Sequence, residues 1–278
     1  MSSRDGAYLT RHSTPEGPRW AVDGRWLPPA FRLDLLLQLP VSAMPAALAA
    51  LASDQPAEGE LLAPIEPSHE VWACGVTYLR SREAREAEST VRDVYARVYD
   101  AERPELFFKA LGTRVVGHGA EIRVRGDSRW NVPEPELTLV VNAAGEIAGY
   151  TVGDDVSSRD IEGENPLYLP QAKVYDGACA IGPGLLLRTA DAMADLPIEL
   201  ELSRNGAPVF SGSTRTSQIK RPLAELVGYL YRECRFAGGA FLMTGTGIVP
   251  PMEFSLERGD HVRITIGELT LENGVARS

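Results

Sequence analysis

Two glutamates stand two residues apart in Val132-Pro133-Glu134-Pro135-Glu136-Leu137, at the mouth of the apolar run Leu137-Thr138-Leu139-Val140-Val141. In an extended chain, side chains at i and i+2 point to the same face, so Glu134 and Glu136 aim their oxygens at one place. Like charges set side by side need a proton, a cationic side chain or a divalent cation between them. Hard ions such as Mg²⁺ take carboxylate oxygens and keep open positions for water or substrate. The same spacing also serves on a solvated strand edge, so the pair alone leaves both readings open. A second acidic run, Gly153-Asp154-Asp155-Val156-Ser157-Ser158-Arg159-Asp160, follows one strand-length later. If the chain turns at Asn142-Ala143-Ala144-Gly145-Glu146 and returns along Ile147 to Val152, Asp155 comes back toward the pair as a third metal oxygen. Upstream, Glu105 and Lys109 bracket Phe107-Phe108. A carboxyl beside aromatic surface has its ionised form disfavoured, which suits proton transfer near neutral pH. Lys173 lies in a Pro- and Gly-rich polar stretch, 161–177, with the makeup of a ligand-binding loop, and is suited to neutralising a substrate carboxylate or a developing enolate.

The elements that must position these residues are legible in outline. Residues 1–68 read as a small α/β domain: Trp20 to Trp26 as strand, turn and strand, Leu33 to Gln38 and Met44 to Ala52 as helices, and Pro64, Pro67 and Ser68 as a linker. Residues 69–278 then form the catalytic domain. A buried strand runs from Val71 to Val76. Val91, Val94, Tyr95, Val98 and Tyr99 recur with helical period, after turns rich in charge and alanine that could cover a site. Asn205-Gly206 marks a hairpin. Pro222 opens a helix with Leu223, Leu226, Val227, Leu230, Tyr231 and Cys234 as its core stripe. Met243-Thr244-Gly245-Thr246-Gly247 is a turn at which backbone can approach a ligand. His12, His69, His118 and His261 are scattered and read as surface or loop residues.

Composition narrows the function. The chain has 278 residues, 44% hydrophobic and 24% charged, an ordinary globular balance. Lys+Arg 28 against Asp+Glu 38 gives a net charge of −10, which leaves no surplus of cations for nucleic acid. Three widely spaced cysteines fit a reducing cytoplasm better than a disulfide framework. No signal core opens the chain, and Phe31 to Leu51 is too interrupted to span a bilayer.

Taken together, Glu134-Pro135-Glu136, the Asp155-to-Asp160 run, Lys173 and Thr244-Gly245-Thr246 resemble the fumarylacetoacetate hydrolase superfamily over roughly residues 71–275. The resemblance implies an α+β fold, a mixed β-sheet roll of the fumarylacetoacetase C-terminal type with a small N-terminal α/β segment, usually as a homodimer. It implies Mg²⁺ or Mn²⁺ held by Glu134, Glu136 and Asp155. Family members that hydrolyse C–C bonds or decarboxylate carry a histidine three residues after a tyrosine. Here Tyr78 is followed at that place by Ser81, whose hydroxyl is too weak a base to replace imidazole. The Pro104-to-Lys109 and Glu162-to-Lys173 runs are instead similar to the branch of sugar-acid dehydratases that act on 2-keto-3-deoxy acids. That similarity implies Glu105 and Lys173 as proton-transfer residues, Glu162 and Thr246 as substrate contacts, and Ser81, Arg80 and Gln171 as further candidates. The expected activity is loss of water from an α-keto acid such as 2-dehydro-3-deoxy-D-arabinonate, giving 2,5-dioxopentanoate. Hydrolysis of an acylpyruvate or related β-diketone acid is the alternative. Neither nucleic acid nor membrane is an expected partner.

Overall fold

The computed structural model describes residues 6–88 and 97–277. The fold is α+β and dominated by sheet. One large mixed sheet runs, strand by neighbouring strand, through Arg25–Trp26, Arg19–Val22, Tyr8–His12, Cys179–Leu187, Ile147–Asp155, Pro135–Val141, Ala240–Met243, Glu70–Gly75 and Glu105–Leu111. Just past Leu111, Val115–Val116 pairs in parallel with Cys179–Ala180, which draws the far strand back and curls the sheet into a roll. A second sheet of Ala207–Arg215, Pro197–Arg204, Asp260–Ile266, Leu269–Arg277 and Glu121–Val124 packs against it. Pro197–Arg204 alternates exposed and buried residues, Ile198, Leu200 and Leu202 entering the core. By contrast Pro135–Val141 is buried at every residue, as a strand covered on both faces must be.

The local signals hold where they are strongest. Asn205 and Gly206 sit at φ 51 and 77, the mirror-image turn that suits twisted strands. Leu223–Tyr231 is a helix that buries Leu226, Val227 and Leu230. Cys234 does not belong to its stripe, because the helix ends at Tyr231 and the thiol is exposed. Two histidines read as surface residues are buried. His69 Nε2 lies 2.9 Å from the Gly238 carbonyl, and the His12 ring lies 2.8 Å from Thr10 Oγ1. Both rings spend their polarity on hydrogen bonds within the fold, which makes their burial tolerable. The 161–177 stretch is not an open loop: Arg159–Glu164 and Leu169–Lys173 are short helices, the second with Pro170 in its first turn, where a missing N–H costs nothing. Leu79–Glu88 is helical, Val98 and Tyr99 lie in a helical stretch over 97–100, and Val91, Val94 and Tyr95 fall outside the described residues.

Residues 6–68 are built onto the large sheet. Tyr8–His12 pairs antiparallel with Cys179–Leu187. Leu9, Trp20, Leu33, Leu37 and Met44 share one apolar cluster with Val140, Ile181, Leu185 and Phe241 of the following segment.

Candidate active site

Alternating strand direction sets the site. Ile147–Asp155 and Ala240–Met243 flank Pro135–Val141 as antiparallel neighbours, Glu70–Gly75 runs parallel to Ala240–Met243, and Glu105–Leu111 runs antiparallel to Glu70–Gly75. Asp155, Gly245-Thr246, Gly75 and Glu105 therefore collect at the end of the sheet where Glu134 and Glu136 begin their strand. The hairpin through Asn142–Glu146 closes with Gly145 at φ 80, and its return leaves Asp155 N donating to the Glu134 carbonyl at 3.0 Å.

Glu134, Glu136 and Asp155 bring one oxygen each within 4.8 Å of one another, and all three are buried. The i, i+2 spacing and the strand return thus produce the three-carboxylate cluster expected of them. Each carboxylate has an oxygen held by the protein. Arg159 Nη2 lies 2.9 Å from Glu134 Oε1, Lys109 Nζ lies 2.5 Å from Asp155 Oδ1, and Gly245 N donates to Glu136 Oε2 at 2.6 Å. Lys173 Nζ bridges Glu134 Oε2 and Asp155 Oδ2 at 2.9 Å each, and Ser157 Oγ at 2.5 Å. Gly245 is suited to its place, because its φ of 90 is left-handed and a Cβ there would overlap Thr77 Oγ1.

Charge is balanced unevenly. Glu134 and Asp155 have cationic partners, whereas no ion pair reaches Glu136 among the described residues. Burial, then the charges of Asp155 and Glu134, push the Glu136 carboxyl well above its ordinary range. Burial also raises Asp154, whose Oδ1 accepts from Glu134 N at 2.9 Å, to about 8. A carboxylate that strains toward protonation beside two others is a place where a hard divalent cation fits, and the donor set is all oxygen. Glu134, Glu136 and Asp155 could hold such an ion.

The cleft over this cluster is narrow and is lined by Cys74, Gly75, Val76, Ser81, Glu105, Phe107, Glu134, Glu136, Glu162, Leu169, Lys173, Gly245 and Thr246. Glu105, Lys173, Glu162, Thr246 and Ser81 are thus brought to one cavity. Arg80 and Gln171 are not: both side chains are exposed, and neither lines the cleft. None of the four histidines lines it either, while Ser81 does. Lys173 Nζ stands 5.5 Å from the centre of the Phe107 ring. Thr246 Oγ1 also braces its own turn, 3.2 Å from both Ile248 O and Ile248 N. Val76 takes φ 52, a costly conformation for a β-branched residue, at the cleft wall. Cys74 is no nucleophile here, since burial and the nearby Glu136 and Glu105 charges push its thiol strongly toward the protonated form.

Sequence reasoning gave no role to Lys109, Arg159 or Gly75, and marked Gly245 only as part of a turn at which backbone can approach a ligand. Lys109 carried a signal, its place four residues after Glu105 in one strand. Arg159 carried one in its position within the acidic run.

The model of the fumarylacetoacetate (FAA) hydrolase C-terminal family matches residues 70–276. A Haloferax volcanii protein named "Probable 2-keto-3-deoxyxylonate dehydratase" is 54% identical over 213 residues, covering 75% of this chain and 72% of that protein. The 2-dehydro-3-deoxy-D-arabinonate dehydratase of Saccharolobus solfataricus is 46% identical over 213 residues, covering 74% and 70%. A solved structure of 2-keto-3-deoxy-D-arabinonate dehydratase complexed with magnesium and 2,5-dioxopentanoate superimposes with a TM-score of 0.82 at 35% identity, covering 98% of this chain and 99% of that one.

Proposed function

Because the chain belongs to the fumarylacetoacetate hydrolase family, we propose that it is a divalent-metal-dependent dehydratase of a 2-keto-3-deoxy sugar acid, converting a substrate such as 2-dehydro-3-deoxy-D-arabinonate into 2,5-dioxopentanoate and water. The observation that carries this reading is the convergence of Glu105, Lys173 and the Glu134/Glu136/Asp155 cluster on one cleft. Glu134, Glu136 and Asp155 would hold Mg²⁺ or Mn²⁺. When bound, the ion supplies a Lewis acid for an α-keto acid, making the C3 proton acidic. The chain's own residues do the rest. Glu105, which lines the same cleft, gives its proton to the departing C4 hydroxyl. Lys173 Nζ accepts the C3 proton, or, where Glu105 accepts that proton and passes it to the hydroxyl that leaves as water, holds the negative charge that develops at the 2-oxo group. Glu162, Thr246 and Ser81, which line the cleft, contact the substrate. Phe107 and Leu169 keep the reacting carbons away from bulk water.

Hydrolysis of an acylpyruvate needs a base that activates water. Ser81 lines the cleft at the position where the resemblance implies a histidine in the family's hydrolases, and its hydroxyl cannot fill that role. The test is a parallel assay, with Mg²⁺, of 2-keto-3-deoxypentonate and acetylpyruvate. Appearance of an aldehyde product from the pentonate alone is expected; acetate and pyruvate from acetylpyruvate at a higher rate would overturn the proposal.

We also propose that residues 1–68 form an N-terminal α/β unit and residues 69–278 the catalytic unit of the one shared sheet, and that the protein works as a homodimer or higher homo-oligomer in the cytoplasm. All three cysteines are free, which agrees with a reducing compartment. No helix among the described residues is long and apolar enough to cross a membrane.

A further inference from the structure

Lys109 is among the largest fully buried side chains of the molecule, and its Nζ is surrounded by oxygen. Asp155 Oδ1 lies at 2.5 Å, the Lys173 carbonyl at 2.6 Å and the Val156 carbonyl at 3.1 Å. A lone ammonium is costly to bury, and this one is tolerated because an anion and two carbonyls surround it. The backbone is arranged to deliver it. Ladder partners step from Trp72↔Phe108 to Val71↔Ala110, so Lys109 is the extra residue of a β-bulge. Bulges beside active sites commonly re-aim a side chain. The Lys173 carbonyl is the last of its helix, with no further turn to satisfy it, so Lys109 also caps that helix.

On the reading given under Proposed function, we propose that Lys109 is a positioning residue for the dehydration, joining the metal-holding carboxylate to the catalytic lysine. It holds Asp155 through the ion pair at Oδ1, while Lys173 Nζ donates to the other oxygen, Oδ2, at 2.9 Å. It fixes Lys173 by its own backbone. Lys109 does not line the cleft and touches no reacting atom. Glu105, Phe107 and Lys109 come from a single strand, so that strand supplies the acid, the ring beside the lysine ammonium and the tie that sets both lysine and ligand.

The test compares Lys109→Met, which keeps the bulk of the stem without the charge, and Lys109→Arg with the wild type. Mn²⁺ binding is read by electron paramagnetic resonance, independent of turnover, and kcat and KM are read on 2-keto-3-deoxypentonate. Loss of a group that orients a metal ligand typically costs about 10- to 100-fold in affinity, and that is the expected loss for Lys109→Met. At saturating Mn²⁺ its kcat is expected to stay about tenfold low with KM within about threefold, because Lys173 remains displaced. Lys109→Arg recovers part of both losses. Mn²⁺ affinity and kcat within about twofold of wild type in folded Lys109→Met would overturn the proposal. Weakened Mn²⁺ binding with unchanged kcat at saturating ion would overturn the tie to Lys173. If Lys109→Met does not fold, Lys109→Arg decides: Mn²⁺ affinity lowered by about threefold or more supports the role, and wild-type affinity overturns it. A wild type that neither binds Mn²⁺ nor dehydrates the pentonate refutes the proposed function itself, a result separable from any behaviour of the variants.

Discussion

Gly75→Ala isolates the position of Glu105 from everything else in the site. Gly75 and Glu105 are cross-strand partners, and a Cβ on Gly75 would overlap the Glu105 carboxylate; its three nearest neighbours are all Glu105 side-chain atoms. Gly75 does not sit in the left-handed region, so alanine imposes no backbone strain. Ordinary Cβ contacts begin at 3.4 Å, which requires the carboxyl group to move by about an ångström or more. A displacement of about 1 Å in a catalytic group can cost about 100-fold, or about 2.7 kcal/mol of transition-state stabilisation. Glu134, Glu136 and Asp155 are untouched, so Mn²⁺ affinity should stay within about twofold of wild type. The flexible Glu105 side chain can yield, and glycine-to-alanine replacement at a compatible backbone lowers the entropy of the unfolded chain, so thermal stability should hold. Steady-state kinetics with calorimetric Mn²⁺ titration reads both quantities. Adding Glu105→Asp, one methylene shorter, should recover part of kcat. A Gly75→Ala enzyme with wild-type kcat would show that Glu105 does not act from where it stands, and a matching loss of Mn²⁺ affinity would show that the effect is not confined to Glu105.

Removing the Glu105 proton-transfer group outright, by Glu105→Gln, should lower kcat by about 10²- to 10⁴-fold while Mn²⁺ titration stays at wild type; near-normal turnover would remove Glu105 from the mechanism. Glu136→Gln should weaken Mg²⁺ and Mn²⁺ binding, since it deletes the carboxylate that no cationic side chain compensates, and it should raise the stability of the metal-free protein; unchanged ion affinity by calorimetry counts against the ligand assignment. Stability of the metal-free protein should fall with rising pH. The Asp154 carboxyl goes from an ordinary 3.8 to about 8 on folding, so between those values the folded chain binds the extra proton and each rise in pH favours the unfolded one. Glu136, raised for the same reason of burial, acts in the same direction. Urea midpoints in EDTA at pH 5.5 and pH 8 read this, roughly spanning the window, and a higher midpoint at the higher pH would refute it.

Much of the site was legible because its parts are local. Glu134 and Glu136 share a face through strand geometry alone, and Asp155 returns through one hairpin whose turn residues announce it. Glu105 was singled out by the aromatic pair beside it. The sequence reading missed what depends on residues brought together by the roll. Lys109 reaches Asp155 from a bulge in Glu105–Leu111, and no spacing in the chain encodes that contact. Arg159 pairs with Glu134 across a helix start that polar composition disguised as loop. Gly75 and Gly245 matter for what a side chain would strike, which requires coordinates. Cys234, His12 and His69 were misplaced for a related reason. Periodicity does not say where a helix stops, and a histidine's burial is settled by partners as distant as Gly238.

In the proposed reading, three carboxylates converge on one divalent ion within reach of an α-keto acid. Anomalous diffraction from a crystal soaked in Mn²⁺ tests this without reference to turnover. A single manganese peak in contact with oxygens of Glu134, Glu136 and Asp155 is expected. A map with no peak there, and with Glu134 and Asp155 still closed on Lys173 and Arg159, would contradict it.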